Sequence, residues 1–563
     1  MQRWVCSVLL LVSSVFAQSN NQATDHIKEL FDRGRWVEVI ASVEQTPQRS
    51  ADVDYYYGSA LAQLGRWDEA RAAFVAGQHL QPRDKRFPTE LGGVAFRQKN
   101  YLLAKHYLQQ ALRLDPKDEY ASNFLATIFY LEGNLPAALK YWNRGGKPRI
   151  ENVGFDPVPR VRPLLLDRAF AFAPGGNLTL PDLITSERRV EGLGVFPAYD
   201  FKLAARDDGN FDLGFNAQER DGFGDSKLQA LISTFSGAPY QTIYPAYYNL
   251  GRSAVNVASM LRWDAQKRRA AGSISGPWRS NPKWRYSFGF DLRNENWAVR
   301  DSFAGPAPVL GSLNLRREVG SAQIESLNSG RWGWSAGVEV SHRDYRDVVP
   351  GTAITLDLLL GGYQLKQVFN VRYELLRVPE RRFVVETRGS SQLARIWSQP
   401  SQSFAKLRGE IDSQWLPQAR GDDYRMQLRV NAGKTFGDEP FDEFFMLGLE
   451  RDNDLWLRAH IGTRDGIKGS APLGRSYFLS NWEMDKNLYN NGLFSLKLGP
   501  FVDTGKVFDT TAALATPKWL CDTGAQAKVQ AFGVGVVFSY GRDLRTGNNA
   551  FYAQAEKSFT KVN

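Results

Sequence analysis

Cysteine is nearly absent: the 563 residues hold two, Cys6 and Cys521. The first lies in a segment, Met1–Ala17, that reads as a secretory signal. Arg3 precedes a short apolar core at Val5–Val15, and Val15-Phe16-Ala17 stands before a cleavage point at Gln18. Cleavage leaves Cys521 alone and lowers the formal net charge from +10 to +9, since Arg3 is the only charged side chain removed. An intramolecular disulfide is then excluded, so an exported chain must rest on packing and strand pairing. Long apolar runs are missing as well. No stretch reaches the roughly 18 residues of a membrane helix, and the mean hydropathy is −0.38. A polytopic helical membrane protein is excluded. A transmembrane β-barrel is not, because its strands alternate apolar and polar residues and average to a hydrophilic chain.

Histidine is also scarce, and His26, His79, His106, His342 and His460 form no H-E-x-x-H pair, which argues against a zinc enzyme. Gly433-Lys434-Thr435 looks like the end of a phosphate-binding loop, but Leu428 stands where the earlier glycine is needed. Gly272–Gly276 has Ile274 at its centre and is no nucleophile elbow. No enzyme, cofactor or metal is expected. The excess of 70 Lys and Arg over 60 Asp and Glu is scattered, which suits lipid headgroups or an Arg-lined lumen better than nucleic acid.

A 34-residue period is present near the N-terminus. It relates Gly65-Arg66-Trp67, Lys99-Asn100-Tyr101 and Gly133-Asn134-Leu135, then Gly58, Gly92 and Ala126, then Ala70, Ala104 and Ala138, and the large Phe74, Leu108 and Trp142. Pro82 and Pro116 end two units, and Gly34-Arg35-Trp36 marks an earlier one at a spacing of 31. Small residues let paired helices cross closely while large ones fill the gap. This is the tetratricopeptide-repeat (TPR) pattern, expected over residues 22–147, and its usual role is docking peptides or proteins.

A Pro-rich linker is read at 148–160, followed by a small α/β unit at 161–220. Its expected elements are an extended start at Val161–Phe172, a helix from Leu180 to Gly192, and strands at Ala198–Ala205 and Asn210–Glu219 around Asp207-Asp208-Gly209. From Asp221 to Asn563 period-2 alternation recurs. Trp284, Tyr286, Phe288, Phe290 and Leu292 alternate with Arg285, Ser287, Gly289, Asp291 and Arg293, and Trp332–Ser341 and Tyr424–Ala432 repeat the pattern. Alternation puts a greasy face opposite a charged one. Over strands of nine or ten residues this suits an outer-membrane β-barrel at 221–563, with about 16 strands at roughly 20 residues each.

Several motifs then resemble one family. Leu180-Pro181-Asp182-Leu183, Arg188-Arg189, Leu193-Gly194-Val195-Phe196, Asp208-Gly209 and Gln218-Glu219-Arg220 resemble a POTRA domain. Phe444–Gly448, Leu457-Arg458-Ala459-His460, Ala471–Gly474, Tyr477–Glu483, Phe501-Val502-Asp503-Thr504-Gly505 and Gly533–Val536 resemble the barrel of the BamA/TamA superfamily, the bacterial surface antigen family. That resemblance implies a loop folded back into the barrel, with its Arg, here Arg458, docked on the Asp of Phe-x-Asp-x-Gly, here Asp503. Arg464 and Lys468 are the alternative anchors. The family's Val-Arg-Gly-aromatic signature is altered to Leu457, Ala459 and His460, and Ala459 disfavours a left-handed backbone at the tip. Phe559 is the expected C-terminal aromatic signal, although Thr560–Asn563 follow it. The implied function is outer-membrane protein assembly or protein translocation. Periplasmic TPR and POTRA-like modules would bind partners and extended or unfolded clients, and the lipid-embedded barrel would act on them. A TPR-barrel polysaccharide exporter and a passive outer-membrane receptor are the alternatives.

Overall fold

A computed structural model describes residues 23–556, apart from 47, 225, 301–308, 350, 352–353, 419–422, 492–493, 509–517 and 532–533. The signal segment 1–17 and Phe559 lie outside the described residues. The chain separates into two compact units, with the boundary between Lys147 and Pro148.

The first unit is all helical: α1 (23–32), α2 (Trp36–Glu44), α3 (Ala51–Gln63), α4 (Trp67–Leu80), α5 (Arg86–Arg97), α6 (Tyr101–Leu114), α7 (Glu119–Leu131) and α8 (Leu135–Trp142). The period reappears in the backbone. Gly65, Lys99 and Gly133, 34 apart, all turn with positive φ (76°, 60° and 71°). The next helix of each pair begins two residues later, at Trp67, Tyr101 and Leu135. Asn100 and Asn134 cap α6 and α8 by accepting from Leu103 N and Ala137 N. The small-residue column has the expected steric cause. A Cβ on Gly58 would lie 2.7 Å from the Phe74 ring, and one on Gly92 2.9 Å from Leu108.

The second unit opens with a three-stranded sheet in the order β1-β3-β2. β1 (Ile150–Phe155) runs parallel to β3 (Phe211–Gln218), which is antiparallel to β2 (Ala198–Ala205). Helices α9 (Pro163–Ala169) and α10 (Leu180–Leu193) supply buried Leu165, Leu183, Val190 and Leu193 to the same small core as Phe201, Leu213 and Phe215. Thr179 caps α10 and Gly194, at φ 70°, ends it. The first strand therefore lies inside the expected linker 148–160, and the expected extended start at Val161–Phe172 is largely helix. The apolar run Leu164-Leu165-Leu166 fits either element by pattern alone. Pro163 at the first helical position and the pairing of Ile150–Phe155 on β3 decide it.

This small domain packs directly on the barrel strands. Arg189 donates to Leu327 O (3.2 Å) and Asn328 O (3.1 Å), and Asn256 donates to Leu193 O (2.8 Å). After α11 (Lys227–Phe235) the chain forms β4 (Thr242–Ile243), β5 (Ala246–Leu250), β6 (Val255–Trp263), β7 (Lys267–Trp278), β8 (Asn281–Arg300), β9 (Val309–Ser326) and β10 (Trp332–Val349). It continues through β11 (Gly362–Val378), β12 (Phe383–Trp397), β13 (Gln402–Trp415) and β14 (Tyr424–Gly437). The long connection 438–475 carries β15 (Phe445–Met446), β16 (Thr463–Arg464), β17 (Ile467–Lys468) and β18 (Leu473–Gly474). The wall resumes with β19 (Ser476–Asn490), β20 (Phe494–Phe508), β21 (Leu520–Ala531), β22 (Val534–Asp543) and β23 (Asn549–Glu556).

Antiparallel registers link β6 through β14 to β19 and on to β23, while β4 and β5 both pair on β6. Among the described residues no register joins β4 or β5 to β23; α11 contacts β22 and β4. The number of ranks around this β-barrel wall is close to the expected sixteen. Phe288, Phe290, Leu292, Val338 and Val340 are exposed on the outer face, whereas Asp291 bonds inward to Arg269 and Arg293. No described helix is long and apolar enough to cross a membrane.

Gly77 of α4 gives a test of the helical unit. A Cβ there would lie 2.3 Å from the fully buried Phe87 ring. Alanine gains about 0.5–1 kcal/mol of helix propensity, but overpacking costs about 1–3 kcal/mol, so the clash wins. Residues 22–147 expressed alone are expected to be soluble with a helical circular-dichroism spectrum, and Gly77→Ala is expected to lower their melting temperature. An unchanged or raised midpoint refutes the packing argument.

Candidate functional site

The connection 438–475 folds back against the inner face of the wall, and its tip is held by both apolar and polar contacts. Leu457 is fully buried with Phe445, Leu447, Leu455, Tyr477, Leu479, Val507 and Leu520. Gly505 lets this cluster close on β20, since a Cβ there would sit 3.2 Å from both Leu447 and Leu479. His460 N donates to Leu457 O (3.0 Å), a tight turn that presents Arg458, Ala459 and His460 to the wall.

The wall meets that tip with a row of carboxylates. Asp503 on β20 stands opposite Asp522 on β21, which stands opposite Asp543 on β22. All three are buried. Like charges directly opposite on neighbouring strands destabilise a sheet unless something compensates them. Arg458 does so for Asp503. Its Nε donates to Oδ2 (2.8 Å), its Nη2 to Oδ1 (2.7 Å), and its backbone N–H to Oδ2 (3.0 Å). This is the two-pronged geometry that only guanidinium offers a carboxylate. Asn481 Nδ2 also donates to Asp503 Oδ1 (2.7 Å), so both oxygens are satisfied.

The guanidinium has further partners. Nη1 donates to Glu483 Oε2 (3.0 Å) and Gln526 Oε1 (2.8 Å), and its carbon lies 3.8 Å over the centre of the Phe501 ring. Glu483 in turn accepts from Lys528 (2.7 Å). Next along the tip, Ala459 N donates to Asp522 Oδ2 (2.7 Å), and His460 Nδ1 lies 3.0 Å from the same oxygen. Ala459 takes no left-handed backbone, so its methyl is accommodated. Room for the tip comes from β22: a Cβ on Gly541 would lie 2.3 Å from the Arg458 carbonyl oxygen.

The structure thus brings Arg458, Asp503, Phe501, Gly505, Leu457, Ala459 and His460 into one site. The alternative anchors go elsewhere. Lys468 bonds both oxygens of Glu295 on β8 (2.9 and 2.8 Å), and Arg464 lies on the β16–β17 hairpin. Pro500 does not break the strand: β20 keeps its register with β21 from Phe494 to Gly505, so Asp503 faces inward.

Two further clusters were not singled out from sequence. At the start of the connection, Asp442 and Glu443 face Arg317 on β9, Arg343 on β10 and Lys366 on β11, at 2.8–3.4 Å. Tyr345 donates to Asp442 (2.7 Å), and Lys406 on β13 donates to the Glu443 carbonyl. Mid-loop, Asp452 pairs with Arg262 on β6 (3.2 Å) and Arg269 on β7 (2.5 Å). Between these clusters lies a cavity of about 370 Å³ lined by Arg293, Glu295, Lys366, Glu443 and Asp452. Inward parity marks the wall residues as candidates, but nothing local pairs them with the loop.

A tetratricopeptide-repeat family model matches residues 89–149. No curated protein matches the chain. Among solved structures, BamA from Haemophilus ducreyi lacking POTRA domains 1–3 is similar at 10% identity, with 73% of this chain and 85% of that one covered and a TM-score of 0.41. CdiB from Escherichia coli is similar at 13% identity, covering 73% and 76%, with a TM-score of 0.47. CdiB from Acinetobacter baumannii is similar at 13% identity, covering 79% and 81%, with a TM-score of 0.42.

Arg458 and Asp503 are both almost fully buried, so breaking their pair is expected to cost on the order of 3–5 kcal/mol. The cost is asymmetric. Arg458→Ala strands Asp503 and removes a partner of Glu483, whereas Asp503→Ala leaves Arg458 with Glu483 and Gln526. Thermal unfolding of the purified barrel should therefore show Arg458→Ala as the worse single change, with the double variant losing less than the sum. Additive losses would show that the two side chains act independently.

Proposed function

We propose that this protein is an outer-membrane protein-assembly or protein-translocation factor. Its TPR and POTRA-like modules capture clients in the periplasm and deliver them to the barrel. The observation that carries this reading is the wall-anchored loop: Arg458, on a segment between two barrel strands, holds the inward-facing Asp503 through two parallel hydrogen bonds. The Arg and Asp of the two resembled motifs meet in this contact. The sheet order β1-β3-β2 adds support, because β2 is an edge strand whose outer side pairs with no strand among the described residues. An extended client can add to such an edge through main-chain hydrogen bonds. The 34-residue helical repeats supply a second protein-binding surface.

The test is a depletion strain complemented with wild type or Arg458→Ala, with outer-membrane and secreted proteins quantified. A photo-crosslinker at Lys202, exposed on β2, should trap an extended outer-membrane or secreted protein in the wild type. Loss of one or more such proteins on depletion, not restored by Arg458→Ala, is the expected result. An unchanged proteome together with loss of a surface polysaccharide would overturn the proposal in favour of sugar export.

A further inference from the structure

Charge accounting at the loop tip is incomplete. Three buried carboxylates stand side by side, and Arg458 neutralises only Asp503. Among the described residues no lysine or arginine forms an ion pair with Asp522 or Asp543; their only titratable partner is His460, 3.0 Å from Asp522 Oδ2 through Nδ1 and 3.9 Å from Asp543 Oδ2 through Nε2. Exposure is 0% for Asp522, 1% for Asp543 and 2% for His460. Asp522 Oδ1 is buried with no hydrogen-bond partner. Buried carboxylates are paired or bind metal, because an isolated ionised group out of water costs too much. A neutral imidazole leaves two negative charges here, a protonated one leaves one, and a divalent cation leaves none.

We propose that His460, Asp522 and Asp543 bind a divalent transition cation of the Zn²⁺ class, clipping the loop tip to β21 and β22. One nitrogen and two carboxylate oxygens form a ligand set that suits such ions. One ligand atom from each residue lies within 4.8 Å of the other two. Ligands at about 2.1 Å from one ion lie up to roughly 4.2 Å apart, so the 3.9 Å between Nε2 and Asp543 Oδ2 already fits. A small rotation of Asp522 closes the rest. Cys521 precedes Asp522 on β21 and so points to the opposite face, which leaves an all-nitrogen-and-oxygen site.

Untagged full-length protein, purified in detergent and stripped with chelator, is titrated with Zn²⁺ by calorimetry and with Co²⁺ by absorption. The wild type should bind a single equivalent, with Co²⁺ d–d bands and no sulfur charge-transfer band. His460→Phe and Asp543→Asn remove ligands and should each weaken binding by more than the roughly 10–100-fold that loss of an outer-shell partner costs. Resistance to unfolding in dodecyl sulfate without heating checks that each barrel is folded. Two variants from different elements, the loop tip and β22, keep the test decisive where one fails to fold. No stoichiometric binding by the wild type, or equal binding by folded variants, overturns the site and leaves His460 a hydrogen-bonding imidazole. The readout is binding to purified protein, so its outcome is independent of any transport defect.

Discussion

The lumen half of the barrel is governed by one electrostatic constraint: Asp503, Asp522 and Asp543 lie in register on three adjacent strands and are all out of water. No β-sheet tolerates such a row by itself, because carboxylates directly opposite repel at the distance where side chains normally stabilise each other. The row is tenable because something else occupies its front. The loop tip delivers a guanidinium, a backbone N–H and an imidazole to it in consecutive residues, Arg458, Ala459 and His460. Wall and loop therefore cannot be understood separately: the wall sequence presupposes the loop, and the tight turn at Leu457–His460 presupposes the row.

The same logic recurs at the opposite side with the signs reversed. There the wall supplies cations, Arg317, Arg343 and Lys366, and the loop supplies Asp442 and Glu443. Mid-loop, Asp452 answers Arg262 and Arg269. Strand alternation makes this possible at little cost in stability. Charged inward residues alternate with apolar outward ones on the same strand in stretches such as β8, where Phe290 and Leu292 flank Asp291 and Arg293. A chain with a modest mean hydropathy can thus present a greasy exterior and a densely charged interior at once.

How much of this was legible in the sequence depended on the range of the interaction. The helical repeat was readable because its determinants recur at a fixed interval: the positive-φ turns at Gly65, Lys99 and Gly133 and the Gly58–Phe74 and Gly92–Leu108 contacts repeat the columns. Strand parity was readable for the same reason, as along Trp284–Arg293. The first strand of the small domain was not, because Leu164-Leu165-Leu166 is as apolar in a helix as in a strand. Only the parallel pairing of Ile150–Phe155 with β3, some 60 residues away, settles it. The Arg458–Asp503 contact came from a motif resemblance, whereas Gln526, Asp522 and Asp543 had no such guide. Their roles come from strand register, which a single sequence does not encode locally. The His460 cluster draws its three ligands from the loop, β21 and β22, so no short ligand spacing announces it.

The balance of polar and apolar contacts sets how such a loop is released. The Leu457 cluster resists withdrawal in proportion to the apolar area it would expose, at about 25 cal/mol per Å². The polar anchors behave differently. While water is excluded, separating Arg458 from Asp503 leaves two bare charges, and the penalty is steep. Once water reaches the pair, each partner is rehydrated and the contact is worth little more than a surface salt bridge. An anchor built mainly of charge is therefore cooperative with its own desolvation. It holds firmly until the tip shifts far enough to admit water, and then it yields as a unit. The backbone of β22 at Gly541, packed on the Arg458 carbonyl, is part of what keeps water out. A movement of β21 or β22 would open this seal from the wall side without any direct pull on the loop.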